Sequence, residues 1–365
     1  MTRATADVIV IGSGVIGLTA TLALADAGLD VVLLADVRQG EASPAAAGML
    51  APGVEFGDAD VRALHELARD RWPAYVAMLA DRSGVEVPLD RRGVLQLALD
   101  ADEATRLVAH APPTATWLDQ SSLAAREPAL VHAVGALFHP HDGAVNPLVL
   151  LRALRQVVGR HVHVRVVTGA ALSVVTTAAT DAAITVRLRD DTTIDAMRVV
   201  VAGGAWTPQL EGLPRTLPIE PVRGQMMSVA SKALTHVVYG GGGYVVPRGD
   251  GRTLIGSTME RVGFPEPGAT EEGVRTLRAI GGAVVPGLAS AHMLHAWAGL
   301  RPMTPDGQPV LGADPAVPAL VWATGHSRNG VLLAPLSAEL VAAAVTGTTP
   351  PIATPGFDPG RFASG

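Results

Sequence analysis

Apolar runs of strand length and apolar segments of helical length alternate from the first residues of this 365-residue chain. Val8-Ile-Val-Ile11 is a strand-length run, Ile16 to Ala27 reads as a helix stopped by Gly28, and Val31 to Leu34 reads as a second, parallel strand. Val61 to Ala80 has Leu64, Leu67, Tyr75 and Met78 near helical spacing and predicts one amphipathic helix. Gly93 to Leu99 alternates as a strand does. Pro147 to Val158 predicts a helix, followed by a strand over His161 to Val167 and a hairpin-like pair, Leu172 to Thr176 and Ala183 to Leu188. Ile194 to Ala202 is a buried strand ending in Gly203-Gly204-Ala205-Trp206. Near the C-terminus come an apolar strand, Leu320 to Thr324, a polar turn, Gly325-His-Ser-Arg-Asn-Gly330, and a long apolar helix, Val331 to Val345, with Pro335 placed in its first turn.

The first strand enters Gly12-Ser-Gly-Val-Ile-Gly17, a GxGxxG turn that opens a helix. Gly12 permits the tight turn, Gly14 permits close approach of main chain to a pyrophosphate, and Gly17 permits close packing of helix on sheet. The amides at the helix start, including Val15 and Ile16, then aim at a dinucleotide. A glycine turn without a ligand is the alternative; the full order of strand, turn, helix and strand argues against it. The acidic residue expected on the ribose falls, by spacing, at Ala35, with Asp36 adjacent. Asp36 serves if the strand end slips by one residue, and is otherwise a solvated loop charge.

Composition narrows the function. Charged residues make up 17% of the chain, the net charge is -6, and there is no basic tract, which argues against a nucleic-acid partner. Mean hydropathy is +0.31, yet the longest apolar run, Val8 to Ala25, is broken by the glycine turn and by Thr19 and Thr21. The expectation is a soluble, cytoplasmic chain without stable membrane association. With no cysteine there is no disulfide frame, thiolate metal site or thiol nucleophile, so redox chemistry needs a bound organic cofactor. The histidine pairs His139/His141 and His161/His163 sit at alternate spacing without accompanying carboxylates. They are read as surface or edge residues, and no metal site is expected.

No linker or repeat divides the chain. Dinucleotide-type signals recur at its beginning, middle and end, which predicts an α/β fold in which a cofactor domain built from separated segments carries an inserted β-rich domain. The C-terminal strand, turn and helix again aim a helix start, with its exposed amides, at something electron-rich. A reduced flavin ring is a natural occupant.

Seven separated motifs carry a resemblance. They are Gly12 to Gly17, Glu41-Ala-Ser-Pro-Ala-Ala-Ala-Gly-Met-Leu50, Pro221-Val-Arg-Gly-Gln225, Tyr244-Val-Val-Pro-Arg248, Gly256-Ser-Thr-Met259, Trp297-Ala-Gly-Leu-Arg-Pro302 and Gly325 to Gly330. Together, and in this order over nearly the whole chain, they resemble the D-amino acid oxidase family, on the side of the glycine oxidases of thiamine biosynthesis. The resemblance implies a glutathione-reductase-like, Rossmann-type FAD-binding domain (1–82, 142–215 and 297–365) and a β-rich substrate domain (83–141 and 216–296), with FAD held non-covalently. The activity implied is oxidation of a small amino acid to an imine, with molecular oxygen reoxidising the flavin to give hydrogen peroxide. A homo-oligomer is consistent with the family.

Carried over residue by residue, the resemblance places Ala42, Ser43, Ala47, Gly48 and Met49 along the flavin and the main chain of Ala170 at the adenine side. Gly204 and Trp206 join the cofactor set, and His326, Ser327, Arg328, Asn329, Gly330, Val331 and Leu332 cover the pyrimidine end of the ring. Arg301 would bind the substrate carboxylate, with Tyr244, Met259 and Arg328 around the substrate. Charge and geometry agree about Arg301, because a carboxylate in an apolar pocket needs a planar, permanently charged, two-pronged donor. Its alternative is a structural ion pair with Asp306. Tyr244 can donate a phenolic hydrogen bond or fill a strand face, Met259 can fill core, and Arg328 can brace its own turn.

Two positions depart from the pattern of similar glycine oxidases. Ser327 stands where an aromatic residue is usual, and Gly242 where a bulkier polar one is expected. Both remove volume, which widens the pocket for sarcosine, N-alkyl glycines or small D-amino acids if these positions face it, and changes nothing if Ser327 faces away. Two rival readings stay open: a D-amino acid dehydrogenase of similar fold that passes electrons to a quinone, and a non-catalytic flavin-binding subunit of a complex.

Overall fold

In the computed structural model, which describes residues 6–55, 58–176 and 183–362, five parallel strands form the centre of one sheet. Their spatial order is Val164–Thr168, Val31–Ala35, Ala6–Ile11, Thr193–Val201 and Leu320–Thr324. Chain order reverses direction across the sheet at the Ala6–Ile11 strand, so a crevice opens at the carboxyl ends of that strand and of Thr193–Val201. The antiparallel hairpin Ala171–Val175 and Ile184–Leu188 joins the sheet along the first half of Thr193–Val201, and its tip lies outside the described residues. The second half of the same strand pairs with Leu320–Thr324.

The continuous apolar runs are explained by burial on both faces. Val8 and Val10 enter one core cluster and Ile9 and Ile11 another; Val31 and Leu33 separate from Val32 and Leu34 in the same way. The first cluster lies under the helices Val15–Asp26, Pro147–Arg160 and Gly330–Thr346. Two of these, Val15–Asp26 and Gly330–Thr346, are apolar all round because they pack against one another as well as the sheet.

The first helix ends at Asp26, two residues before Gly28: Gly28 N–H donates to Ala25 O (2.9 Å) and Leu29 N–H to Leu24 O (3.2 Å), the paired bonds of a Schellman end. The single helix predicted over Val61 to Ala80 is two, Ala59–Asp70 and Trp72–Ser83. Pro73, near the start of the second, has no N–H to continue the first helix's ladder. Pro335 falls in the second turn of the C-terminal helix rather than the first, and the helix runs on through it.

A second sheet is mostly antiparallel, in the order Met293–Met303, Glu220–Ala230, Arg252–Gly256, Gly243–Pro247, Val237–Gly240, Val94–Ala98, Gly135–His139 and Thr116–Asp119. The helix Glu271–Val284 packs on it through Leu277, Ile280 and Val284. Three short strands, Met49–Leu50, Gly143–Val145 and Leu89–Asp90, lie between the two sheets in sequence and join segments of both. The architecture is thus mixed α/β, a doubly wound sheet carrying a β-rich partner.

Helix and sheet meet at van der Waals limits around the glycine turn. Gly12 has φ +110°, and a Cβ on it would lie 2.5 Å from Ala202 O. A Cβ on Gly17 would lie 1.8 Å from Gly12 O, so Gly17→Ala must push the helix off the sheet. That substitution is expected to destabilise the fold by about 3 kcal/mol, read as a lowered thermal midpoint of the FAD-free protein; an unchanged midpoint contradicts the close packing.

Candidate active site

The crevice at the switch point continues into a cavity of about 440 Å³ that runs from the cofactor sheet to the second sheet. At one end Gly12, Gly14, Val15 and Ile16 line it. The first helical bond there runs from Leu18 N–H to Gly14 O (2.9 Å), and Val15 N–H is taken by Ser43 Oγ (3.0 Å). The C-terminal segment reaches the same cavity through His326, Ser327, Arg328, Asn329, Gly330 and Val331. The first bond of its helix runs from Leu333 N–H to Asn329 O (2.9 Å), so the amides ahead of it are a second group of donors at a helix start. Two glycine-led turns from opposite ends of the chain therefore share one cavity.

Most residues named from sequence lie on its wall: Asp36, Ala42, Ser43, Ala47, Gly48, Met49, Gly204, Trp206, Tyr244, Met259, Arg301 and Arg328 join those above. Four do not reach its surface. Gly17 stands behind the turn, where it packs helix on sheet. Ala35 is at the strand end, its carbonyl accepting from Gly169 N–H (3.1 Å). Ala170 O is occupied by Arg189 N–H (3.0 Å), and its neighbours Gly169 and Ala171 line the cavity instead. Leu332 turns into the core, where its carbonyl accepts from Trp72 Nε1 (3.1 Å). Asp36 is not a free solvated charge: Arg38 Nε donates to it at 2.5 Å, and both residues line the cavity.

Arg301 lies on the long strand Met293–Met303, opposite Val222. Its guanidinium donates to Thr258 O (3.1 Å) and Ser257 Oγ (2.7 Å) and makes no ion pair with the described residues. Asp306, the alternative partner, is paired with Arg361. Burial draws the Arg301 pKa down, while the nearby Tyr244 favours its charged form. Room for the group comes from Gly224 on the adjacent strand, whose Cβ would lie 2.2 Å from Nη1. Tyr244 directs its hydroxyl at Met226 Sδ (3.7 Å) on the wall of the same cavity. Arg328 is half-exposed and pairs with Glu55 at 3.2 Å, so it ties its turn to the 51–55 segment rather than bracing only its own carbonyls.

Gly242 and Ser327 both line the cavity. The space where a Gly242 Cβ would sit is open, and Ser327 has φ +51°, with its hydroxyl donating to Gly325 O (3.3 Å). Sequence reasoning passed over Glu55, Arg38, Gly224, Ser257 and Gly299. The last three lie inside motifs already singled out, so neighbours of the named residues were the available signal; Glu55 and Arg38 stand in irregular segments that carry none.

The histidine pairs are separate features. His139 is buried, not at the surface, with its Nε2 and Gln96 Oε1 3.1 Å apart; His161 and His163 pair with Asp26 and Asp30. Among the described residues no group of three or more His, Cys, Asp or Glu is gathered as for a metal, and no helix is long and apolar enough to cross a membrane.

A doubly wound sheet, two helix starts converging on one cavity and an unpaired arginine at its far end define a dinucleotide-dependent oxidoreductase. The FAD-dependent oxidoreductase (DAO) family model matches residues 7–344, and the chain belongs to that family. It is 33% identical to the glycine oxidase of Pseudomonas aeruginosa over 372 residues, 98% of each chain. It is 34% identical over 371 residues to the bifunctional protein ThiO/ThiG of a Synechocystis strain; that match takes in 99% of this chain, which spans about half (54%) of the relative's length. The crystal structure of glycine oxidase from Geobacillus kaustophilus superposes with a TM-score of 0.88 at 30% identity, covering 97% of this chain and 98% of the other. The residues present fit FAD: the glycine turn, the free amides at the second helix start and the wall Ala42 to Met49 would hold it.

His326 is buried in the C-terminal turn, its Nε2 3.0 Å from Ser337 Oγ, and burial lowers its pKa to about 3. A histidine that stays neutral when folded but protonates near 6.5 when unfolded lets the unfolded state bind the extra proton, so it subtracts stability as pH falls from 6.5 toward 3. His326→Gln is therefore expected to flatten the acid limb of the thermal midpoint in that window; an unaltered slope would show that the imidazole does not titrate this way.

Proposed function

We propose that this protein is an FAD-dependent amino acid oxidase acting on glycine or a similarly small amino acid, including sarcosine, N-alkyl glycines and small D-amino acids, with oxygen as electron acceptor. The observation that carries the reading is Arg301, a half-buried guanidinium without a carboxylate partner among the described residues, on the wall of a cavity that two helix starts serve. A buried charge left unpaired is costly, so an anionic ligand is its natural complement.

Bonds to Thr258 O and Ser257 Oγ fix the plane of the guanidinium and leave its other N–H groups for the substrate carboxylate. Tyr244, whose hydroxyl meets only the weak acceptor Met226 Sδ on the same wall, would turn it to that carboxylate, and Met259 and Arg328 line the cavity beside it. Anchoring the carboxylate sets the direction of the α-C–H bond and holds the amine, which reacts in its neutral form so that its lone pair assists loss of the hydride. FAD, when bound, would supply the two-electron acceptor for that hydride, with oxygen as the final oxidant and hydrogen peroxide as its product. Water then converts the imine into the oxo acid and ammonia or an amine. No side chain is assigned as base for the C–H step. The open space at Gly242 and the small Ser327 support a pocket with room beyond glycine itself.

The test is the visible spectrum of the purified protein titrated anaerobically with glycine, sarcosine and D-alanine. Bleaching of the flavin band, followed in air by peroxide matching the substrate consumed, is the expected result. Fast dye reduction with little peroxide would replace oxygen by a quinone-type acceptor, and a flavin that none of the amines reduces would make the chain a binding subunit. Arg301→Ala is expected to cost about 2 to 4 kcal/mol in kcat/KM, chiefly through KM, while FAD stays bound. Unchanged kinetics would remove Arg301 from the substrate site.

A further inference from the structure

A second half-buried arginine lies behind the cavity wall. Arg248 closes the motif Tyr244-Val-Val-Pro-Arg248, just past the strand Gly243–Pro247, and is not on the cavity surface. Its Nη2 donates to Ala47 O at 2.6 Å and its Nη1 lies 3.4 Å from Val145 O. It makes no ion pair with the described residues, since Asp250 pairs with Arg252 and Asp90 with Arg92. Burial lowers its pKa to about 10, which leaves it charged at neutral pH.

The two carbonyls it meets belong to the segment that forms the cavity wall and to the strand that supports it. Val145 N–H donates to Gly48 O (2.8 Å), and Met49 pairs with Ala144. The same wall is fixed elsewhere by Trp297 Nε1, which donates to Ala45 O (3.0 Å), and by Ser43 Oγ, which accepts from Val15 N–H. A trans peptide points its C=O and the next N–H in opposite directions. With Ala47 O turned to Arg248, Gly48 N–H is turned away from it, and that N–H has no partner among the described residues.

We propose that Arg248 is a positioning residue for the cofactor: by holding Ala47 O from behind the wall, it sets the Ala47–Gly48 peptide so that Gly48 N–H is presented to the flavin. This rests on the FAD reading of the cavity. Arg248 touches neither cofactor nor substrate. A charged donor is suited to the task because bonds from charged groups are the stronger ones, and the stem of the side chain packs where a lysine would reach only one carbonyl.

The test is fluorescence titration of FAD into FAD-free wild type, Arg248→Met, Arg248→Lys and Arg252→Gln, with thermal midpoints recorded alongside. Arg248→Met is expected to weaken FAD binding about tenfold or more, and Arg248→Lys, which keeps one charged donor, to bind measurably more weakly than wild type but more tightly than Arg248→Met. Arg252→Gln, a change at an exposed arginine where the strand Arg252–Gly256 begins, is expected to bind as wild type does. If Arg248→Met does not fold, the comparison of Arg248→Lys with Arg252→Gln decides: a weaker Kd in Arg248→Lys alone supports the role. Equal affinities in all four proteins overturn it, as does a loss shared by Arg252→Gln or a lowered midpoint with unaltered Kd. Failure of wild type itself to bind FAD would instead strike the reading of the cavity, and the role of Arg248 with it.

Discussion

The structure depends on one close approach, where the backbone of Gly12 passes against Ala202 and Gly17 rides on Gly12. Two parallel strands end side by side there, chain order reverses, and a helix begins within touching distance of both. Because no side chain intervenes, the amides of the helix start lie at the floor of the crevice rather than a residue's width above it. The third contributor to the cavity, Leu320–Thr324, comes from more than a hundred residues later and adds to the same strand, Thr193–Val201, so its helix start opens over the same floor. Discontinuity in sequence is thereby resolved by one shared strand.

Much of this was legible in the sequence because it rests on local signals. The run Val8 to Ile11, the glycine spacing and the apolar helix carry their own geometry, and the C-terminal repeat of strand, turn and helix carries the same message. What was not legible depends on contacts between distant segments. Arg328 is engaged by Glu55 and Ala170 by Arg189, and neither pairing follows from the spacing of the partners; the Asp36–Arg38 pair is local, but lies in an irregular segment with no periodicity to announce it. The break at Arg71 is of another kind: helical periodicity continued through it, and only the missing N–H of Pro73 marked the end.

The part of the cavity proposed for the substrate is shaped by absences of side chain as much as by residues. Arg301 fits because Gly224 stands beside it, and Tyr244 because Gly256 does, a Cβ there falling 2.4 Å from the ring. The pair is thus fixed by backbone, while Gly242 and Ser327 govern how much room surrounds it. In the proposed reading anchor and volume are set by different strands and turns, which would let selectivity change without moving Arg301.

Charge along the cavity is arranged in the same asymmetric way. The three carboxylates that line it, Asp36, Glu41 and Glu55, are each held by donors of this chain: Arg38 Nε, Arg38 N–H, and Arg328 with Asn329. Two other arginines, Arg301 on the cavity wall and Arg248 behind it, donate to carbonyls and a hydroxyl and make no ion pair with the described residues. Two helix starts add partial positive charge. With Asp36 and Glu55 paired to arginines and Arg301 and Arg248 meeting only neutral acceptors, the field along the cavity favours anions, which suits the proposed pyrophosphate and carboxylate. The same field favours negative charge on any ring held between them, so the electrostatics that bind the ligands also assist the reduction that the proposed reaction requires.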